Sequence, residues 1–431
     1  MKIAIIGTGI SGLTCGYYLH HQHDITLYEA NDYIGGHTAT RDVEHQGKSY
    51  QIDTGFIVYN DRTYPHFNQL MAQIGVTGTP TQMSFSVRND SSGLEYNGHT
   101  LSTLFAQKRN LLNPRFYRLL FDILRFNRLA KAAAQQELEQ EITLGEFLRQ
   151  NQFNDYFSEH YILPMGAAIW SSTLADMRAF PLHFFSRFFL NHGLLDITNR
   201  PQWSVINGGS RAYIAPLTRG FADKIRLNSP VECIERTDDG VLITALKQTE
   251  RFDAVILACH SDQALKLLYD PSDDETRVMG QLRYQPNDVI LHTDTSVLPK
   301  RSQAWAAWNY WLEGDKQDEH RLPALTYNMN ILQHIQSDTT FCVSLNSREK
   351  IDPAKIIAQF TYDHPVFDAG AMGAQQERSL IQGQQQTWFC GAYWYNGFHE
   401  DGVRSALDVV QGINDAALAA VTKPARQETL A

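Results

Sequence analysis

Three glycines spaced G-x-G-x-x-G, in Gly7-Thr8-Gly9-Ile10-Ser11-Gly12, follow directly on the apolar run Lys2–Ile6. In a turn from strand to helix, the first glycine permits the tight bend and the second lets a pyrophosphate lie against the backbone. The third lets helix and strand pack closely. The helix N-terminus then offers unpaired N–H groups and a positive dipole end to phosphate. Glu29 ends the next strand-like run, Asp24–Tyr28. An acid there is placed to accept hydrogen bonds from both hydroxyls of an adenosine ribose and disfavours a 2′-phosphate. The pair of signals predicts a site for the ADP half of NAD or FAD and argues against NADP.

Gly35 and Gly36 separate the two dinucleotides. Glu29-Ala30-Asn31-Asp32-Tyr33-Ile34-Gly35-Gly36 resembles the flavin amine oxidase, protoporphyrinogen oxidase and phytoene desaturase superfamily, in which a strand-end Glu precedes a Gly-Gly turn along the FAD pyrophosphate. The resemblance implies non-covalent FAD, with either His37 or Arg41 placed to touch phosphate. Gln51–Ile57 is similar to the segment beside the isoalloxazine ring, which assigns Thr54, Gly55, Phe56 and Ile57 to it. Val205–Ser210 with Leu217 resembles the element that reopens the FAD domain. Val231 stands where the superfamily holds adenine through backbone, and Asp253–Cys259 resembles its next cofactor-side strand, ending in Ala258 and Cys259. Thr387–Ala392 followed by Gly397–Val403 resembles the C-terminal flavin motif. Gly391 ends its strand, and a helix N-terminus at Asp401, Gly402 and Val403 would face the flavin N1–C2 edge and stabilise negative charge there. Trp305–Tyr310 and Thr326–Asn330 resemble a bacterial branch of the same superfamily.

Amine oxidases of this superfamily commonly carry a Lys near flavin N5 and a cage of two Tyr. This sequence has Leu291 where the Lys is expected and Phe398 at one cage position, with Phe367 matched to the other. Desaturases and porphyrinogen oxidases of the superfamily move hydride from carbon to N5 with little acid–base help, so the resemblance makes an aromatic, mostly apolar site a fit for a lipid-like substrate. The favoured expectation is therefore C–C dehydrogenation of a fatty-acyl or isoprenoid-like substrate, with oxygen, a quinone or another protein taking the electrons onward. A flavin amine oxidase is the alternative. A non-catalytic FAD-binding partner of a lipid-modifying enzyme is the second, against which the intact Gly55, Gly391 and Gly402 argue. His399 beside the flavin helix is a candidate proton relay or loop brace. Tyr59 and Tyr327 are candidate substrate contacts whose ordinary role is packing. No H-E-x-x-H or G-x-S-x-G spacing occurs, so no metal site or hydrolase elbow is expected.

These residues need elements to hold them. Lys2–Ile6, Ser11–His20 and Asp24–Glu29 read as strand, helix and strand, a β-α-β unit on a parallel sheet. The expected fold is α/β, a Rossmann-like FAD-binding domain of glutathione-reductase type interleaved with an α+β substrate domain. Its FAD-binding parts are 1–76, 200–284 and 386–423. Its substrate parts are a helical 77–199 and a strand-rich 285–385, and 424–431 form a tail. Val231–Thr237 and Val241–Ile243 flank an Asp-Gly turn. In Asn113–Lys131, Arg115, Arg118, Arg125, Arg128 and Lys131 share a helical side. An anionic membrane surface is one partner for that side, and solvent is the commoner one. Phe180–Leu190 reads as plain core or a substrate tunnel.

The chain of 431 residues exceeds one hydrophobic core, and 43% hydrophobic with 19% charged residues is an ordinary globular balance. A net charge of −10 argues against nucleic acid, which needs clustered Lys and Arg. Five scattered cysteines with no C-x-x-C read as reduced thiols. With a strand starting at Lys2 and no long apolar run, the expected location is the cytoplasm or, peripherally, the inner membrane face.

Overall fold

A computed structural model describes residues 1–135, 142–170, 172–196, 198, 200–312 and 324–422. The polar run Gln135–Gln140, apart from Gln135, and the tail 424–431 lie outside them. The chain divides into two compact units. One comprises Met1–Thr38, Tyr213–Arg283 and residues from Gly373 onward, and the other Ala39–Ala212 and Tyr284–Met372.

The first unit is built on β1 (Lys2–Ile6), α1 (Ile10–Leu19) and β2 (Asp24–Tyr28). Its five-stranded sheet runs Ile225–Arg226, β2, β1, Ala254–Leu257, Thr387–Phe389, and every pairing is parallel. Ile3, Ala4 and Ile5 are fully buried, the continuous apolar run that a parallel strand covered on both faces requires. The α/β Rossmann-like expectation holds. Leu13, Cys15 and Leu19 of α1 are also fully buried, because the C-terminal helix His399–Thr422 packs on it, with the Cys15 Sγ 3.8 Å from the Ala406 carbonyl. Val231–Thr237, Gly240–Ala245 and Gln248–Phe252 form an antiparallel meander. Its first turn is closed by Gly240 at φ +144°, which an L side chain resists.

The second unit carries a seven-stranded sheet in the order Ile356–Pro365, Tyr284–His292, Cys342–Leu345, Ala324–Asn328, Trp308–Leu312, Phe85–Asn89, Leu94–Asn97. Its helical side includes Pro114–Gln135, Leu163–Trp170 and Leu182–Asn191. The hairpin of β3 (Thr40–His45) and β4 (Lys48–Asp53) belongs here too.

The division departs from the boundaries expected at 76/77, 199/200 and 385/386. Val43 and Ile52 of the hairpin are buried in one cluster with Val289, Phe341 and Val343, which draws 39–76 into the second unit. Ser210 is bonded to Asp53, which keeps 200–212 with it. Conversely, Gln375 donates to the Tyr393 and Tyr395 carbonyls, and Arg378 pairs with Asp408, so 373–385 lie in the first unit.

Candidate functional site

The glycine turn does three different things at its three glycines. Gly7 has φ +105°, and a Cβ there would stand 2.9 Å from the Ala258 carbonyl oxygen. A Cβ at Gly12 would stand 2.0 Å from the Gly7 oxygen, so neither position tolerates a side chain. Gly9, the N-cap of α1, has no heavy atom within 4 Å of its Cβ position. Its backbone faces open space at the carboxyl end of β1, where doubly wound sheets take ligands. Ile10 and Ser11 open the helix behind it and are buried.

Gly35 (φ +128°) and Gly36 (φ +58°) form a turn that brings residue 36 against this loop, with a Gly36 Cβ falling 3.2 Å from the Gly9 Cα. The strands beneath are buried, while Gly7, Gly9, Gly36, His37, Ala258 and Cys259 keep partial exposure. These residues line a groove floored by backbone. Such a floor fits an extended pyrophosphate: glycines give it room, and a helix N-terminus supplies donors. The residues present therefore fit FAD.

Glu29 is buried and already engaged. Its Oε2 accepts from the Thr8 N–H at 3.1 Å and the Thr8 hydroxyl at 2.5 Å, and its Oε1 accepts from the Asn31 N–H and Nδ2, each at 2.9 Å. The carboxylate thus braces the glycine turn from below, a role the sequence reading did not give it. Ala30 beside it is exposed. The Ser229 N–H bonds to the Glu29 carbonyl at 2.8 Å and that of Asn228 to the Asn31 carbonyl at 2.9 Å. This ladder delivers the half-buried Val231, two residues on, to the Glu29 end of the groove.

Across the groove the C-terminal helix meets α1. A Gly402 Cβ would lie 2.6 Å from the Ile10 Cγ2, and the Ser11 hydroxyl donates to the Gly402 carbonyl at 3.0 Å. Two helix N-termini therefore stand side by side, concentrating positive potential in one place. Ser405 accepts from the Gly391 N–H at 2.9 Å, tying the end of the last strand to the same helix. Val403 and Asp401 are buried. The Asp401 carboxylate accepts from the Phe398 N–H at 2.9 Å, yet desolvation raises its pKa to about 7. Cys259 keeps its proton, since desolvation pushes its thiol up to about 12.

His399, the first residue of that helix, lies with its Nε2 2.8 Å from the Tyr213 hydroxyl and 3.3 Å from Thr38 Oγ1. Desolvation, helped by the neighbouring His37, drives its imidazole down to about 3. A neutral ring held by two hydroxyls is well suited to brace the loop. Thr38 and Tyr213 carried no signal in the sequence, since their importance lies only in meeting His399.

The remaining candidates belong to the second unit. The Thr54 hydroxyl lies 3.1 Å from the Ala39 carbonyl and 2.9 Å from the Tyr362 hydroxyl. Gly55 is half-buried, Phe56 packs edge-on against Phe67, and Ile57 joins the central cluster. Asp53, quoted in the sequence motif without a role, is the hub of this region. It accepts from Thr40, from the Ser210 N–H and hydroxyl, and from Gln333, and desolvation nevertheless lifts its pKa to about 6. Tyr59 is buried beside Phe67. Tyr327 sits edge-on to Trp308. Desolvation raises both phenols, as packing residues show. Phe180, Phe185, Phe188 and Phe189 surround Trp170 and are buried, so most of the rings expected as core or tunnel wall are core. No helix among the described residues is long and apolar enough to cross a membrane.

Residues 10–333 match the family model described as flavin containing amine oxidoreductase. Among curated proteins no sequence match is found. Solved structures share the fold at low identity. Cyclohexylamine oxidase from Brevibacterium oxydans IH-35A matches at TM-score 0.69 and 15% identity, over 97% of this chain and 99% of its own. A fatty acid isomerase from P. acnes that produces CLA matches at 0.67 and 16%, over 95% and 98%. Reduced UDP-galactopyranose mutase matches at 0.66 and 14%, over 98% and 96%. Their names span an amine, a lipid and a sugar nucleotide, so the shared fold leaves the substrate to the side chains.

Proposed function

We infer a particular reaction from one premise, that the chain belongs to the flavin-containing amine oxidoreductase family and is an FAD-dependent oxidoreductase: dehydrogenation of a carbon–carbon bond in a hydrophobic, fatty-acyl or isoprenoid-like molecule. FAD, when bound, would take up both hydrogens lost from the two carbons, one as hydride and the other as a proton. The chain's own contribution is grip and exclusion. In this reading the groove of Gly7–Gly12, Gly35, Gly36 and the paired helix N-termini holds the dinucleotide, with Val231 at its adenine end.

The observation that carries the reading is Leu291. On the strand Tyr284–His292, at the position where the family's amine oxidases commonly carry Lys, Leu291 is fully buried and shares an apolar cluster with Ile57, Val343 and Tyr362. In the family's amine oxidases that lysine can hold water or a proton, whereas leucine has no group that can do either. The titratable candidates agree with that economy. His399 stays neutral, and the Tyr59 and Tyr327 phenols are held above their ordinary range, so none of these three is poised as a base at neutral pH, while the buried carboxyls of Asp53 and Asp401 lie near it.

The test is anaerobic reduction. FAD-loaded protein mixed with fatty-acyl or isoprenoid lipids should lose its visible flavin absorbance, whereas cyclohexylamine and putrescine should leave it unchanged. Bleaching by the amines alone would replace this reading with amine oxidation.

A further inference from the structure

The helix Pro114–Gln135 is one of the longest in the protein, and its outer face is unlike a solvated one. Tyr117, Phe121, Leu124 and Arg128 recur at i, i+4, i+7 and i+11 and so form a single stripe. Phe116, Leu119, Phe126 and Ala130 face inward and are fully buried. The stripe is therefore the side turned away from the core, yet Phe121 is 59% and Leu124 51% exposed. The turn before the helix extends the apolar surface with Leu111 and with Leu112, 89% exposed. The Tyr117 hydroxyl bonds to the Leu111 carbonyl at 3.0 Å, fixing that turn to the stripe.

Charge at this surface is as lopsided as its hydropathy. Residues 101–135 contain seven Lys and Arg and one carboxylate, Asp122, in a chain whose net charge is −10. Asp122 is turned inward with a fully buried side chain, where it pairs with Arg118 and Arg125 and accepts from Asn154. Lys131 is taken up by Asp196. Lys108, Arg109, Arg115 and Arg128 are exposed around the apolar stripe. A helix with a basic rim and large apolar side chains on its outer face matches the profile of an element that lies in a bilayer interface.

We propose that the face formed by Leu111, Leu112, Tyr117, Phe121 and Leu124, with its basic rim, docks this protein reversibly on an anionic lipid bilayer. The apolar side chains enter the headgroup boundary, and the Lys and Arg side chains engage lipid phosphate. Docking does not depend on which molecule is oxidised, and it needs no spanning helix.

Co-sedimentation of the FAD-loaded protein with vesicles tests the surface. Vesicles of phosphatidylcholine mixed with phosphatidylglycerol should retain the protein, and pure phosphatidylcholine should retain far less. Salt at about 1 M, where screening acts over about 3 Å, should weaken binding. Arg115→Gln and Arg128→Gln should each cost about fivefold in affinity, and Phe121→Ser with Leu124→Ser should abolish retention. All four positions are exposed, so each variant should keep its flavin spectrum and its melting temperature. Failure to bind anionic vesicles would overturn the proposal, as would retention indifferent to both sets of changes. It would equally fall if the protein proved dimeric, with Phe121→Ser and Leu124→Ser yielding monomers and no vesicle affinity at any stage, because the face would then join two copies of the chain.

Discussion

Asp401 sits where a charge is both wanted and penalised. A carboxylate in the first turn of a helix is favoured by the dipole, but desolvation outweighs that here and lifts its pKa to about 7, against an unfolded value near 3.9. The folded protein thus holds this proton more tightly than the unfolded chain does. The stability this lends is complete below about pH 4 and is lost as pH climbs through about 7. Replacing Asp401 with Asn removes the titration, so the melting temperature of Asp401→Asn relative to wild type should rise between about pH 4 and about pH 7 and level off above it, roughly the window these pKa values define. A constant difference across the window would mean the carboxyl is already ionised. Residue identities of this sort were legible at Gly7, Gly9 and Gly12, where spacing alone dictates sterics. They were not legible for Glu29, whose four protein donors come from Thr8 and Asn31, nor for Asp53. A carboxylate's partners depend on which loops fold over it, and no periodicity records that.

At the level of elements, the strongest constraint is the contact between α1 and the C-terminal helix. Ser11 Oγ, Gly402 and Ser405 form a continuous bonded line there, and the absence of a Cβ at Gly402 is what permits it. Gly402→Ala places a methyl group 2.6 Å from the Ile10 Cγ2. Relief requires the helices to part, at a cost of about 1–3 kcal/mol typical of overpacking. Because both N-termini face one groove, parting them should also lower flavin content. Purified Gly402→Ala should therefore carry less FAD per chain and melt several degrees lower, whereas a stable, fully loaded variant would show that the two helices can slide. The elements themselves were largely readable from pattern: β1, α1 and β2 from a branched apolar run and glycines, the meander from Asp239 and Gly240. Allegiance was harder. The hairpin of β3 and β4 follows the first glycine turns in sequence, but its buried Val43 and Ile52 pack with strands more than two hundred residues later, and such long-range burial leaves no local signature.

On the scale of the whole molecule, the unit built around the glycine turns is assembled from three stretches separated by 39–212 and 284–372. The groove exists only when all three are in place, so a ligand spanning them should be linked to folding of the entire unit. NAD and FAD share an ADP half, which the backbone at Gly7–Gly12 and Gly36 has room for. They differ in what reaches the stretch around Gly391 and Gly402. A ligand gripped by all three stretches, at a hundred times its dissociation constant, stabilises the folded state by about 2.7 kcal/mol, which for a unit of this size corresponds to a shift of roughly 5–10 °C. Deflavinated protein titrated with FAD should show that shift, and NAD at equal concentration should give at most a small fraction of it. If the two nucleotides stabilise equally, the C-terminal helix contributes nothing to binding. The match between its N-terminus and that of α1 would then serve packing alone.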